Sequence, residues 1–140
     1  MNTYDKGLMW FRRDLRAQDN AALYHALKVC RQVWCVFVFD TDILDALPRS
    51  DRRVEFIRES LVELDAALRA LGRENGADGV GLIVLHGPSA KVVPALAQQL
   101  AVQAVFVNHD DEPAAKVRDA HVFGDLAHAG ILMHSHKDHV

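Results

Sequence analysis

The sequence predicts an α/β fold, an open five-stranded parallel sheet with helices on both faces. Two patterns carry that expectation. Short apolar runs at residues 7–11, 32–39, 82–85 and 104–107 alternate with longer stretches whose apolar residues recur every three or four positions. Within the runs, consecutive residues are apolar, as in strands covered on both faces. A third observation places the polar residues. Each run ends in a charged or polar cluster, at 12–16, 40–42, 86–89 and 108–112, and these clusters should crowd together outside the carboxyl ends of the strands.

Residues 7–11 form the first strand. Asp19 or Asn20 offers a short side-chain oxygen to cap the next helix, where Ala22, Leu23, Ala26, Leu27 and Cys30 recur at helical spacing. Residues 32–39 read as a central strand ending at Asp40, Thr41 and Asp42. Pro48 lies in a loop over 45–50, and Ser50 caps a helix in which Val54, Ile57, Leu61, Leu64, Leu68 and Leu71 alternate steps of three and four. Gly72 ends that helix. Gly76, Gly79 and Gly81 mark the turn into the third strand, 82–85. Ser89 caps a helix with Val92, Val93, Leu96, Ala97 and Leu100 inward, and Pro94 points to a late start of its regular part. Residues 104–107 are the fourth strand. Pro113 suits the first position of a helix running to about His128, Gly130 ends it, and 131–134 form a weak fifth strand. Five strands with four helical connections make one Rossmann-like domain of three layers over residues 1–140.

Composition narrows the function classes. Half of the 140 residues are apolar and a quarter charged, as in an ordinary globular protein. A net charge of −3 argues against a stand-alone nucleic-acid-binding module. No apolar run approaches the roughly 20 residues of a membrane span, and the first residues carry no secretory pattern. Cys30 and Cys35 lack metal-type spacing and read as buried, reduced thiols of a cytoplasmic protein.

The charged clusters each admit a functional and a structural reading. Arg12, Arg13, Asp14 and Arg16 can meet a ligand or pair internally; Asp14 and Arg16 are expected to hold the loop, and Arg12 to face the crevice. The loop has no glycine, so it is no phosphate cradle of the Gly-rich type. Asp40 and Asp42 have the chemistry of an acid–base pair, but turn formation explains them as well. Arg49, Arg52, Arg53 and Arg58, interleaved with Asp51, Glu55 and Glu59, read as a solvated helix face rather than a DNA contact. His134 and His136 lie on one side of a strand, with His128 and His139 nearby; without further ligands they are not expected to bind metal. Asp110, Asp111 and Glu112 suit the positive end of a helix dipole.

The stretch Trp10-Phe11-Arg12-Arg13-Asp14-Leu15-Arg16, with Asp19-Asn20 two residues on, resembles the amino-terminal signature of the DNA photolyase and cryptochrome family. Asn108, Glu112-Pro113 and Arg118-Asp119 resemble the family's segment after the fourth strand. The Gly87-Pro88 turn and the strand spacing also fit, so the resemblance covers essentially the whole chain. It implies the antenna domain of a DNA photolyase, a carbon–carbon lyase. In the family, a larger helical domain holds FAD, the damaged DNA and the electron-transfer tryptophans, and these 140 residues do not include it. The parent would bind cyclobutane pyrimidine dimers, absorb blue light and split the dimer with an electron from reduced FAD.

The α/β domain would help hold a second chromophore, methenyltetrahydrofolate or a deazaflavin. The residues expected to contact it are Arg12, Asp40, Asn108 and Glu112. The positions where folate-using members carry an Asn–Glu pair fall on Ala114 and Ala115, whose side chains cannot hydrogen-bond. No catalytic residue and no metal are expected here, and the fragment alone is expected to be inactive. Its implied partners are the helical FAD domain, whose connector residues 137–140 resemble, and damaged DNA through the parent. No membrane is implied, and a monomer is expected. Two alternatives remain: a cryptochrome-type photoreceptor domain, and a stand-alone nucleotide-binding α/β protein, against which the absence of a Gly-rich loop counts.

Overall fold

The structure is a computed structural model and describes residues 3–41, 53–74 and 81–137. Five parallel strands are ordered β3-β2-β1-β4-β5. They are β1 (Tyr4–Phe11), β2 (Cys30–Asp40), β3 (Leu82–Gly87), β4 (Ala104–Asn108) and β5 (Leu132–His136). The helices between them are α1 (Ala21–Val29), α2 (Arg53–Glu74), α3 (Ser89–Gln99) and α4 (Pro113–His128). The open parallel sheet in three layers therefore stands as the sequence predicts. The expected Asp42, Pro48 loop, Ser50 cap, Arg49, Asp51 and Arg52, Gly76 and Gly79, and His139 lie outside the described residues.

The apolar runs split by alternation. Leu8 and Trp10 of β1, Val36 and Val38 of β2, and Val105 and Val107 of β4 pack with Val93, Leu96, Val122 and Leu126 of α3 and α4. Their neighbours Met9, Phe11, Cys35 and Phe106 pack on the other face with Ala22, Leu23, Leu64 and Leu68 of α1 and α2. Successive side chains point to opposite faces, so a strand buried on both must be apolar throughout. Burial pushes the two thiols up, Cys30 to about 11 and Cys35 to about 12, so both remain protonated and unreactive at neutral pH.

Several boundaries differ from the sequence reading. Cys30 is not the last turn of α1 but the first residue of β2, because it pairs in register with Tyr4. Ser89 is the first residue of α3, behind a Pro88 cap that makes no side-chain hydrogen bond. Pro94 lies inside α3 without delaying its start. Its missing N–H costs one helical bond, while its buried ring contributes to the core. Gly81 allows a close approach: a Cβ there would sit 2.5 Å from Asp65 Oδ1, which accepts the Leu82 N–H at 2.8 Å. That bond, then Arg69 at 2.9 Å, holds the Asp65 carboxyl below its ordinary pKa and ties α2 to β3.

Two helices end in the same left-handed cap. In α4 the Gly130 N–H donates to Ala127 O and the Ile131 N–H to Leu126 O, with Gly130 at φ 80°. In α3 the Ala101 and Val102 N–H groups donate to Gln98 and Ala97, but the left-handed residue is Ala101 at φ 56°. An L side chain there costs roughly 1–2 kcal/mol, partly offset in a glycine variant by its greater unfolded-state entropy. Ala101→Gly is expected to stabilise the domain by up to about 1 kcal/mol, raising the urea midpoint at unchanged slope.

Candidate functional site

The strand order reverses between β1 and β4, and a crevice opens outside their carboxyl ends. A cleft of about 240 Å³ lies there, lined by Arg12, Arg13, Asp14 and Arg16 after β1 and by Asn108, His109 and Asp110 at the end of β4. Its lining sets three arginines among two aspartates, donors suited to an anionic group.

Beneath the cleft is a polar frame. Asn108 is buried, and each of its side-chain atoms has a protein partner. Its Oδ1 accepts the Ala22 N–H of α1 at 2.9 Å. Its Nδ2 donates to Asp14 Oδ2 at 2.5 Å and to Asn20 Oδ1 at 2.8 Å. Asn20 is the α1 cap, accepting from the Leu23 N–H at 3.1 Å, and its own Nδ2 donates to the Arg16 carbonyl at 3.0 Å. Asp14 Oδ1 accepts the Arg12 N–H at 2.8 Å. One network thus locks the β1 loop, the start of α1 and the end of β4 together.

Arg12 is also buried. Its Nη1 pairs with Asp119 of α4 at 2.6 Å, and its Nη2 donates to the Asn108 carbonyl. Its guanidinium carbon lies 4.7 Å from the Trp10 ring centroid, and that of Arg118 5.1 Å from it, so two cations stack on one buried indole. Arg118 Nε bonds Asp119 at 3.2 Å, while its Nη2 is buried with no hydrogen-bond partner among the described residues.

At the lip, exposed Arg13 bridges to Asp110 at 2.7 Å and to Glu112 at 3.3 Å. Burial alone would raise the Asp110 carboxyl, but the Glu112 N–H and Arg13 hold it below the ordinary carboxylate range. It stays a charged acceptor at neutral pH.

Of the four expected contact residues, Arg12 and Asn108 meet in this cleft, and Glu112 joins it through Arg13. Asp40 is buried at the end of β2, in register with Gly87, and does not line the cleft. Asp14 and Arg16 both shape the loop, as expected, but not as an ion pair. The Arg16 N–H donates to the Asp14 carbonyl at 2.8 Å, and its guanidinium donates to the Asp19 carbonyl. Ala115 is buried and Ala114 exposed. Sequence reasoning took Asn20 for a cap alone and gave Asp119 no partner. Both are polar residues that fold inward, which only the long-range contacts reveal. His134 and His136 lie together but stack on rings, and no group of three metal-ligating residues occurs among the described residues. No helix among the described residues is long and apolar enough to cross a membrane.

Residues 7–140 match the sequence profile of the DNA photolyase family. The chain is 36% identical over 124 residues to the deoxyribodipyrimidine photo-lyase of a Synechococcus species, covering 89% of this chain and 24% of that protein. It is 31% identical over 126 residues to chicken (Gallus gallus) cryptochrome-2, covering 90% of this chain and 20% of that one. Among solved structures, the archaeal photolyase of Sulfolobus tokodaii superimposes with a TM-score of 0.82 at 34% identity, over 94% of this chain and 29% of that one. That photolyase is described with two FAD molecules, with the implication of a novel light-harvesting cofactor. The chain spans about a quarter of the length of these relatives.

Proposed function

The chain belongs to the DNA photolyase family, and on that premise we propose that it is the antenna-chromophore domain of a deoxyribodipyrimidine photo-lyase. In this reading the parent repairs cyclobutane pyrimidine dimers in DNA with blue light and reduced FAD. The helical domain that carries FAD and the lesion is the partner of this one. This domain by itself would not catalyse repair.

The observation that carries the reading is the arginine-lined cleft at the β1/β4 switch point, built on a polar frame. Folates carry a glutamate carboxylate tail and FAD a diphosphate, anionic groups that suit three arginines lining a site whose two aspartates are already paired. Arg13 and Arg16 would receive the tail, and Glu112 would flank it. Arg12 and Asn108 would act by holding the cleft's shape, since their polar groups are already engaged. Asp40 would bound the neighbouring part of the crevice at the end of β2. A bound chromophore of this kind supplies near-ultraviolet or blue absorption and passes excitation to the flavin.

The test is direct binding. Methenyltetrahydrofolate, 8-hydroxy-5-deazaflavin and FAD are each incubated with the chain, followed by gel filtration. Co-elution of absorbance with at least one of them is expected, weakened about tenfold (roughly 1.4 kcal/mol) by Arg13→Glu. Retention of none of the three would reject the antenna reading, as would dimer repair by this chain alone. A cryptochrome-type photoreceptor is the second reading, supported by the 31% identity to chicken cryptochrome-2. Light-dependent dimer repair by the full-length parent separates the two.

A further inference from the structure

Among the described residues, strand β5 is an edge of the sheet and pairs with β4. Met133 packs into the aliphatic core on one face, whereas the face toward α1 is held by aromatic rings. His134 stacks on Phe106 at 5.1 Å, and its Nε2 bonds the Tyr4 hydroxyl of β1 at 2.9 Å. Two residues on, His136 lies flat against His25 of α1, with centroids 4.2 Å apart and planes 7° from parallel. His136 Nε2 is buried and has no hydrogen-bond partner among the described residues.

We propose that the stack of His136 on His25 forms an acid-sensitive latch that holds the edge strand β5 to α1 while the His136 ring is neutral and loosens it when that ring takes a proton. Two neutral imidazoles stack like any flat aromatic pair. Protonation turns both ring nitrogens of His136 into donors, and the buried Nε2 has no acceptor to meet.

The surrounding groups do not offset this charge. From α1 come His25 and Tyr24, whose ring Lys28 approaches at 6.0 Å. From β5 itself comes His134, and from β1 Tyr4. Beyond β4, His109 contributes its backbone N–H to the His136 carbonyl at 2.7 Å, while its imidazole pairs outward with Asp111. Asp19 and Lys137 border the hollow that His25 also lines. Among the described residues no carboxylate bonds either imidazole of the latch. Burial, then the charges of His25 and His134, hold the His136 pKa below its ordinary value.

The sign follows. The unfolded chain binds the proton more readily than the folded one, so the stabilisation is fully present above about pH 6.5 and is lost as pH falls below it toward the lowered native value. Because Asn108 pairs with His136 and the His109 N–H bonds its carbonyl, loosening reaches the rim of the cleft.

The experiment is a pH series on this chain from 7.5 to 5.0. NMR follows the histidine ring signals, and amide hydrogen exchange across β5 is corrected for the pH dependence of intrinsic exchange. His136 is expected to titrate below about 6.5, and β5 opening to rise roughly tenfold per unit of that displacement. His136→Phe keeps a flat ring and should abolish the rise; His25→Phe removes the neighbouring charge but leaves the burial of His136, and should diminish it. If His136→Phe does not fold, His25→Phe and the wild-type titration decide alone. Titration of His136 at or above the ordinary value, or the same rise in His25→Phe, would overturn the latch.

Discussion

Arg12→Ala is expected to destabilise the domain by about 3–5 kcal/mol, because it removes one partner of a buried ion pair and leaves the other. Among the described residues Asp119 would retain the Arg118 Nε bond at 3.2 Å alone, and the Asn108 carbonyl would lose its buried donor. The Trp10 face would lose one of its two stacked cations. Arg12→Lys should recover less than half of the loss, since an ammonium cannot reach Asp119 and the Asn108 carbonyl as a planar fork while lying on the indole. The check is urea unfolding of Arg12→Ala, Asp119→Ala and the double variant. Coupling of roughly 1–3 kcal/mol is expected; additive losses would show that the pair does not act as a unit.

Asn108→Ala is expected to cost about 3 kcal/mol. Three groups lose a partner at once: the Ala22 N–H, Asn20 Oδ1 and Asp14 Oδ2. Asn108→Asp separates shape from hydrogen bonding. It keeps an acceptor for Ala22 but sets a second carboxylate where Asn108 donates to Asp14. Mutual repulsion would raise the carboxyl pKa of that pair in the folded state above its unfolded value near 4. The folded variant then holds a proton that the unfolded chain releases. Its stability should therefore fall as pH rises from about 4 through the raised value, and recover on acidification. Asn108→Ala should show no such recovery. Equal pH profiles for the two variants would remove the Asn108–Asp14 bond from the account.

The layers were legible in the sequence because burial on two faces leaves a visible mark. Residues such as Val36, Phe37, Val38 and Phe39 must all be apolar when alternate side chains enter different cores. The helical spacing of Leu61, Leu64 and Leu68 marked α2 for the same reason. Boundaries were less legible. Cys30 suits a helix end or a strand start, and pairing with Tyr4 decides between them. Ser89 is a good cap by composition, yet the chain turns one residue earlier.

By itself the sequence determined the strand–helix rhythm, the two-faced core and the gathering of charged loops at the carboxyl edge of the sheet. Each follows from local periodicity and from the geometry of parallel strands. The choice of partners belonged to the tertiary structure. The sequence reading set Asp14 with Arg16 in the 12–16 loop, and the placement of β1 beside β4 is what brings Arg12 within 2.6 Å of Asp119, 107 positions away. The same placement turns Asn20 from a helix cap into a strut beneath Asn108, and sets His25 against His136. Polar residues carry no periodic signal of burial. Whether one faces water, a ligand or another side chain depends on which distant segment arrives beside it.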